Sequence, residues 1–535
     1  MVTSSRAVTP TAPSVLPPAG RAWRQRALAV AVLLLGALAL RLILWDRAVG
    51  FEQGDPLEYV NIAYKLAFGI GIEWWDLRPL LLSLLYVPVL YVAQWWPDPT
   101  GEAMVRALRL VSVAFGVGTV WLTYRLGRQL AGDMVGVGAG LLVAVNPVVN
   151  RMSVSTYAEL PSTFFVLLCL WLLVLAINRA PARARWLALG AGLALGAACM
   201  IRYQAIFYLP PIGLWVGLMA LARTTGSLSE RLRAVIPSTT PAGALLHGWA
   251  GGLLLAILAQ GIIEQVAYGR PFHSLLASYS YNVTSGLAPV EFGEEPFDWF
   301  VREIPAWLGI VAGGLAFVGL AALWRGPQAA GWRLVVLAGL TMFLALSILP
   351  HKETRFMSQV VPLLALLAAQ GAVTLGGLLR RAGPVVGTGR GSGLAAALGI
   401  GLAVILLLVA AAPMLAASWS LDLQSNVGYV EGVKRAAELQ PGGTLGTVPW
   451  LVARPYAGTR LTLERMDRNI WNRREEVAQT IEKSDYLLFP EYWLSEDPEI
   501  DRLVEARFRS IDGYEDGVVL YERRAPEEPA RRRSR

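Results

Sequence analysis

The sequence predicts a mainly α protein, a polytopic bundle of about eleven membrane-spanning helices followed by a small C-terminal α/β domain. Three observations predict it. The 535-residue chain is 55 % hydrophobic and 16 % charged, with mean hydropathy +0.48, which is too apolar for one soluble fold of this size. Apolar runs of about 18 residues or more recur along it. From about residue 418 the long runs give way to polar, alternating patterns that suit a small α/β unit.

Residues 1–20 are rich in Pro, Ser, Thr and Ala and read as disordered, making 1–26 a cytoplasmic N-terminus. The first apolar run, 27–45, follows Arg21, Arg24 and Arg26 and reaches Arg41 and Trp45 without a small-residue cleavage site. It therefore reads as an anchor running outward and not as a signal peptide. Residues 46–103 form a long outer loop. Within it, 77–96 is apolar but short and carries Arg78-Pro79 and Trp95-Trp96, so it reads as a surface-lying or re-entrant helix.

Further spans are predicted near 104–125, 134–150, 160–178, 186–200, 204–222, 245–267, 304–324, 334–349, 358–378 and 393–416. With these, every short arginine-rich loop falls inside: Arg125 and Arg128; Arg179, Arg183 and Arg185; Arg223, Arg231 and Arg233; Arg325 and Arg333; Arg380, Arg381 and Arg390. Counting 77–96 as a span would invert most of them. The same rule absorbs much of the net charge of +8, so a nucleic-acid partner is not expected. Residues 27–417 thus form the transmembrane module, with outer loops at 46–103 and 268–303. The 418–535 domain lies outside, with helices predicted at 427–439, 466–484 and 497–505 and strands at 444–450, 485–490 and 517–523. Arg531-Arg532-Arg533 reads as a solvated tail, or as a basic segment that touches anionic lipid.

This threading sends the polar groups that look out of place to one face: Asp55, Glu58, Glu73, Asp76, Arg151, Glu159, Arg202, loop 268–303 and the cluster 351–356. His351-Lys352-Glu353-Thr354-Arg355-Phe356 puts four ionisable side chains between two apolar segments. Charge is expensive within a bilayer, so such clusters sit at its edge and often serve function. His351 and Arg355, spaced i, i+4, would share a helix face with Lys352 beside them, a set able to neutralise a phosphate leaving group. Glu353 would hold one of these cations; the alternative is a set of snorkelling side chains. Arg202 reads either as a second phosphate ligand or as an interface anchor. Glu159 either orients a base or substrate or begins a helix as an acidic residue.

Gly54-Asp55-Pro56 follows the first helix closely. A carboxylate there could take the proton from an acceptor hydroxyl, an effect of roughly 10²–10⁴-fold, or Asp55 could simply cap the amphipathic stretch 57–67. Glu58, one turn later, is the substitute base. Tyr279, Tyr281, Phe292, Phe297, Trp299 and Phe300 suit sugar stacking or lipid packing, and equally an interfacial belt. Asn282-Val283-Thr284 fits a glycosylation sequon, a weak signal. Cys169 and Cys199 lie inside apolar helices, so neither a disulfide framework nor a metal site is expected from them. No Walker loop, dinucleotide fingerprint or metal-spaced His/Cys set is present, and no cofactor is expected. Energy for an external reaction then has to arrive in the substrate, which favours an activated lipid.

His351-Lys352-Glu353-Thr354-Arg355-Phe356 resembles the HKE-x-RF signature of the dolichyl-phosphate-mannose-dependent α-mannosyltransferases of GPI-anchor and N-glycan assembly, members of the GT-C superfamily. Residues 281–308 are similar to that family's N-x-x-x-G…YG-x-x-PW-x-WY…LP stretch, Arg151 to Glu159 to its R-x-x-S-N-x-x-E segment, and Trp74-Trp75 with Arg78-Pro79 to its TWE…R segment. The four motifs occur in one order over roughly residues 40–370, and 418–535 lies outside them. The resemblance implies inverting transfer of a sugar, mannose in that family, from a polyprenyl phosphate to a hydroxyl on a glycan or lipid. It places the base on Asp55 and the donor phosphate on His351, Lys352 and Arg355; Arg202 joins the phosphate set from the reading above, and a substrate-orienting role is expected of Glu159, Glu353 and Arg78. Where the family has an acidic pair, the chain has Asp55-Pro56, so Glu58 or another group would supply any role of the second acid. No metal requirement follows. The bacterial cast of the composition makes undecaprenyl or decaprenyl phosphate the expected carrier and the bacterial plasma membrane the expected location. The alternatives are a transferase for another sugar such as arabinose or one modifying protein, a lipid-linked glycan transporter, and, because Pro56 replaces an expected acid, a catalytically dead scaffold; a transporter would show repeats, broken helices and midplane polar groups.

Overall fold

In the computed structural model the described residues are 19–52, 54–69, 77–95, 101–285, 293–322, 328–382, 391–448, 450–458, 460–466 and 474–525. Glu73, Trp74, Trp75, Asp76, Trp96, Phe292, Arg325, Arg390, most of the N-terminal segment and the arginine tail lie outside them.

The chain enters through α1 (Ala19–Arg47), a two-residue strand β1 (Val49–Gly50), α2 (Asp55–Phe68) and α3 (Leu81–Ala93). Then follow α4 (Glu102–Ala131), α5 (Asp133–Val145), α6 (Pro147–Ser153), α7 (Glu159–Ala176), α8 (Pro181–Ile201), α9 (Leu209–Leu221), α10 (Leu228–Val235), α11 (Pro241–Tyr268) and α12 (His273–Tyr279). The bundle closes with α13 (Ile310–Ala322), α14 (Ala329–Ile348), α15 (Val361–Ala382) and α16 (Gly391–Trp419). Among the described residues nine helices are long and apolar enough to cross a bilayer, or ten if α5 and α6 count as one bent span. The protein is an integral membrane protein.

Two of the predicted spans are not single helices. The 134–150 segment is not one helix: α5 and α6 meet at 65°, because Pro147 has no N–H to continue the helix and Asn146 caps the second piece through Val149 N (3.1 Å). The predicted 304–324 span is the shorter α13, preceded by separate helical turns at Trp299–Arg302 and Ile304–Trp307. The 77–96 stretch is the 13-residue α3, containing Pro88 and too short for a span, in line with the threading above.

Lipid tails are as apolar as leucine, so these helices associate by close packing. A Cβ on Gly252 of α11 would lie 2.0 Å from Leu189 O of α8, and one on Gly371 of α15 would lie 1.9 Å from Leu315 O of α13. Both pairs of backbones touch where a side chain cannot fit. Arg41, fully buried in α1, reaches the break with two of its nitrogens: Nη1 donates to Ala144 O (3.3 Å) and, within α1, to Ala37 O (3.1 Å), and Nε donates to Ser153 Oγ (3.0 Å). Ala144 O belongs to the last turn of α5, where orphan carbonyls favour a cation.

After α16 come β2 (Gln424–Ser425), α17 (Val427–Leu439), β3 (Thr444–Thr447), α18 (Trp450–Ala457), β4 (Thr462–Arg465), α19 (Arg474–Lys483), β5 (Tyr486–Pro490), α20 (Pro498–Arg507), β6 (Phe508–Gly513) and β7 (Val518–Arg523). The five-stranded sheet has order β4-β3-β5-β7-β6, parallel on the β4-β3-β5 side and antiparallel beyond β5. The central β5 is buried at every residue, as befits a strand covered on both faces. Sequence patterning found three of these strands and missed β4 and β6, whose burial does not alternate along the strand. β1 and β2 pair with each other in parallel, joining the end of α1 to the start of the C-terminal unit.

Candidate active site

The site forms at one end of the bundle, where α2 begins. Gly54, at φ +81, turns the chain into the helix in a conformation that favours glycine. Asp55 is the first residue of α2, followed by Pro56. The cap position falls on Gly54 and no side-chain cap bond forms, so the capping alternative for Asp55 is not what its carboxylate does. Its Oδ1 lies 2.7 Å from Arg78 Nη2, and its Oδ2 lies 2.9 Å from Arg202 Nη1 and 3.9 Å from Arg355 Nη2. Burial alone would raise this carboxyl, but the Arg78 guanidinium, then Arg355 and Arg202, outweigh it and hold Asp55 well below the usual carboxylate range,.

Glu159 opens α7 and is fully buried. Its Oε1 lies 3.2 Å from Arg202 Nη2 and 3.4 Å from Arg355 Nε, in contact but without hydrogen-bond geometry. Asp55 and Glu159 thus flank two guanidinium groups. Arg202, between α8 and α9, is 6 % exposed, which excludes the interface-anchor alternative. Its Nε donates to Gln204 Oε1 (2.8 Å), which also accepts from Gln359 Nε2 (3.2 Å). Glu58 contacts Arg78 through both oxygens.

The 351–356 cluster is not helical through its length, which corrects the expectation that His351 and Arg355 share a helix face. Residues before proline avoid the α region; Leu349 is extended before Pro350, α14 ends, and a 3-10 helix begins only at Thr354. His351 and Arg355 meet instead on one acceptor, Glu353 Oε1, at 2.9 and 2.5 Å. Burial opposes ionisation of Glu353, but the bond from His351 and the Arg355 charge hold it below its ordinary value. Lys352 turns away: its Nζ donates to Glu295 O (2.7 Å) and Leu349 O (2.6 Å), fastening the cluster to residues 293–296. A phosphate contact from Lys352 is therefore not what this geometry provides.

Sequence reasoning missed Tyr157, whose ring lies 4.4 Å from the Arg355 guanidinium and holds its plane. Burial pushes this hydroxyl up to about 12, against the pull of Arg355, so it stays neutral. The signal was its position two residues before Glu159. Phe356 packs against both arginines at 5.4 Å. Arg151 is exposed, as are Tyr279, Phe297 and Asn282. Among the described residues no three His, Cys, Asp or Glu converge as a metal site would require. What the arrangement offers is a carboxylate held in its ionised form by the guanidinium groups around it, two of which, on Arg202 and Arg355, can also grip an anion's oxygens,.

A model of the Alg9-like mannosyltransferase family matches residues 35–430. A search of curated proteins returns no match. Among solved structures, ArnT from Cupriavidus metallidurans bound to undecaprenyl phosphate superposes with TM-score 0.61 at 13 % identity, over 95 % of this chain and 99 % of that one. The archaeal oligosaccharyltransferase AglB from Archaeoglobus fulgidus, in complex with an inhibitory peptide and a dolichol-phosphate, superposes with TM-score 0.59 at 12 % identity, over 95 % and 75 %. At such identities the likeness is one of fold.

Proposed function

The chain belongs to the Alg9-like mannosyltransferase family, membrane glycosyltransferases of the GT-C superfamily, and from that premise we propose that it moves a sugar, mannose first among the candidates, from a polyprenyl phosphate to a hydroxyl acceptor with inversion. The observation that carries this reading is the contact of Asp55 with Arg78, Arg202 and Arg355, groups from three distant parts of the chain. The complexes of similarly folded proteins with undecaprenyl phosphate and dolichol-phosphate support a polyprenyl phosphate donor. Asp55 accepts the acceptor's hydroxyl proton, the acceptor oxygen bonds to the anomeric carbon, and the carbon–oxygen bond to phosphate breaks. The electron pair leaves on the polyprenyl phosphate, whose charge Arg355 and Arg202 receive.

The same geometry couples the two roles. Arg78 is tied to Glu58 as well as Asp55, whereas Arg355 spreads itself over Asp55, Glu159 and Glu353 at 3.9, 3.4 and 2.5 Å. A donor phosphate engaging Arg355 competes with Asp55 for its charge and raises the carboxylate's affinity for a proton. Base strength thus grows when the donor is seated.

Two experiments test this. Purified protein incubated with a panel of polyprenyl-phosphate sugars should transfer mannose; activity with arabinose alone would change the sugar, and no transfer from any donor would overturn the reading. For orientation, with Cys169 and Cys199 replaced, single cysteines at the exposed Arg302 and Arg179 should label from outside and inside respectively in bacterial cells. The reverse result would put the site on the cytoplasmic face.

A further inference from the structure

We propose that Arg109 and the C-terminal α/β unit together form the mount that fixes the Asp55 loop, making Arg109 a positioning residue for the transfer; this rests on the reading of Asp55 as base. Arg109 is a fully buried arginine of α4. Its Nη1 donates to Ala48 O (2.9 Å), and its Nη2 donates to Gly50 O (2.8 Å) and pairs with Glu52 Oε1 (3.2 Å). These are successive points on the short segment that leads from α1 into α2 and Asp55. A rigid guanidinium fork suits this task, since its nitrogens reach separated acceptors at once and stay charged when buried. Removing either partner of such a buried set is costly, so the segment is held in one register.

The C-terminal unit grips the same segment. Val49 and Gly50 pair with Gln424 and Ser425. Phe51 N donates to Ser425 O (2.8 Å), and Asn426 Nδ2 donates to Phe51 O (2.8 Å). Tyr456 Oη donates to Gly50 O (3.1 Å), the carbonyl that Arg109 also holds. Gly50 has φ +77, and a Cβ there would lie 1.9 Å from Ser425 O, so the contact is backbone against backbone. Beneath it, Phe51, Tyr59 and Val60 share a core with Tyr429, Tyr456 and Leu488. A displacement of the loop by about 1 Å can cost up to roughly a hundredfold in rate.

The test is steady-state kinetics of the full chain with whichever polyprenyl-phosphate sugar supports transfer. Arg109→Lys keeps the charge and loses the fork; Tyr456→Phe removes one hydroxyl and carries the test should the first variant not fold. Each should lower kcat by about tenfold while leaving donor KM within about twofold. The acid limb of the pH–rate profile should move to higher pH as Asp55 slips from Arg78, Arg202 and Arg355, the cations that face it with Tyr59, Glu58, Glu159 and Glu353 close by. Arg435→Ala, on an exposed face of the C-terminal unit, should change none of these. Less folded protein with an unmoved limb and unchanged turnover per active site would make the contacts scaffolding only and sink the proposal. If Asp55→Asn itself keeps wild-type turnover, the base assignment fails first, whatever Arg109 does.

Discussion

Asp55 Oδ2 and Arg202 Nη1 meet at 2.9 Å across 147 residues of chain. The contact joins the loop after the first helix to the junction of α8 and α9, and Glu159 closes it from behind at 3.2 Å from the same guanidinium. An acid and a cation that sequence could only place on one face are in fact partners.

Replacing Asp55 with Asn preserves size and removes the proton acceptor. Transfer should fall by about 10²–10⁴-fold, with donor binding retained on the same preparation. Product formation measured beside donor affinity checks this, and a parallel loss of both would assign Asp55 to binding.

The pH dependence follows from the sign of the Asp55 shift. Its folded-state pKa is depressed from 3.8, so its contribution to stability is complete above that value and is lost as pH falls from there through the folded pKa. In the free enzyme, kcat/KM should show no Asp55 limb between about pH 5 and 8. A limb near pH 6 that disappears in Asp55→Asn would contradict the arginine-held carboxylate.

Glu159→Gln removes a buried anion from between Arg202 and Arg355. Leaving such charges short of a partner costs on the order of 3–5 kcal/mol, which should appear as a lower thermal midpoint in detergent. A midpoint matching wild type would show that Asp55 and Glu353 suffice.

Arg355→Lys keeps a charge and loses the planar fork. Hydrogen bonds to charged groups are worth about 1.5–3 kcal/mol, so donor affinity should weaken roughly tenfold to a hundredfold. Acceptor KM should hold; an equal loss for both substrates would argue against a phosphate role.

Lys352→Met removes the charged donor from two carbonyls, Glu295 O and Leu349 O, a loss of up to about 1.5–3 kcal/mol for hydrogen bonds to a charged group. Faster limited proteolysis near residues 293–296 and 349–353 is expected, with donor affinity changed less than in Arg355→Lys. The opposite order would return Lys352 to the phosphate.

The helical spans were legible because each is a local property: an apolar run long enough for a bilayer declares itself without reference to its neighbours. α17 was predicted to the residue, Val427–Leu439, since its apolar stripe recurs at helical spacing. The break at Asn146-Pro147 was written in the sequence as well and was passed over, because the surrounding run is uniformly apolar. Lys352 and the 351–356 geometry were not legible. A backbone carbonyl partner such as Glu295 O leaves no trace in residue identity.

From sequence alone came the membrane bundle, the polar groups displaced to one face, and the residue types able to accept a proton and neutralise a phosphate. Hydrophobicity and charge act over a single turn or span and so survive in one dimension. Only the tertiary structure decided that Arg202 and Arg355 stand between Asp55 and Glu159, that Lys352 is spent on carbonyls, and that Arg109 and Tyr456 converge on Gly50 O. Ion pairs and hydrogen bonds depend on ångström separations between residues remote in the chain, and those separations exist only once the helices have packed.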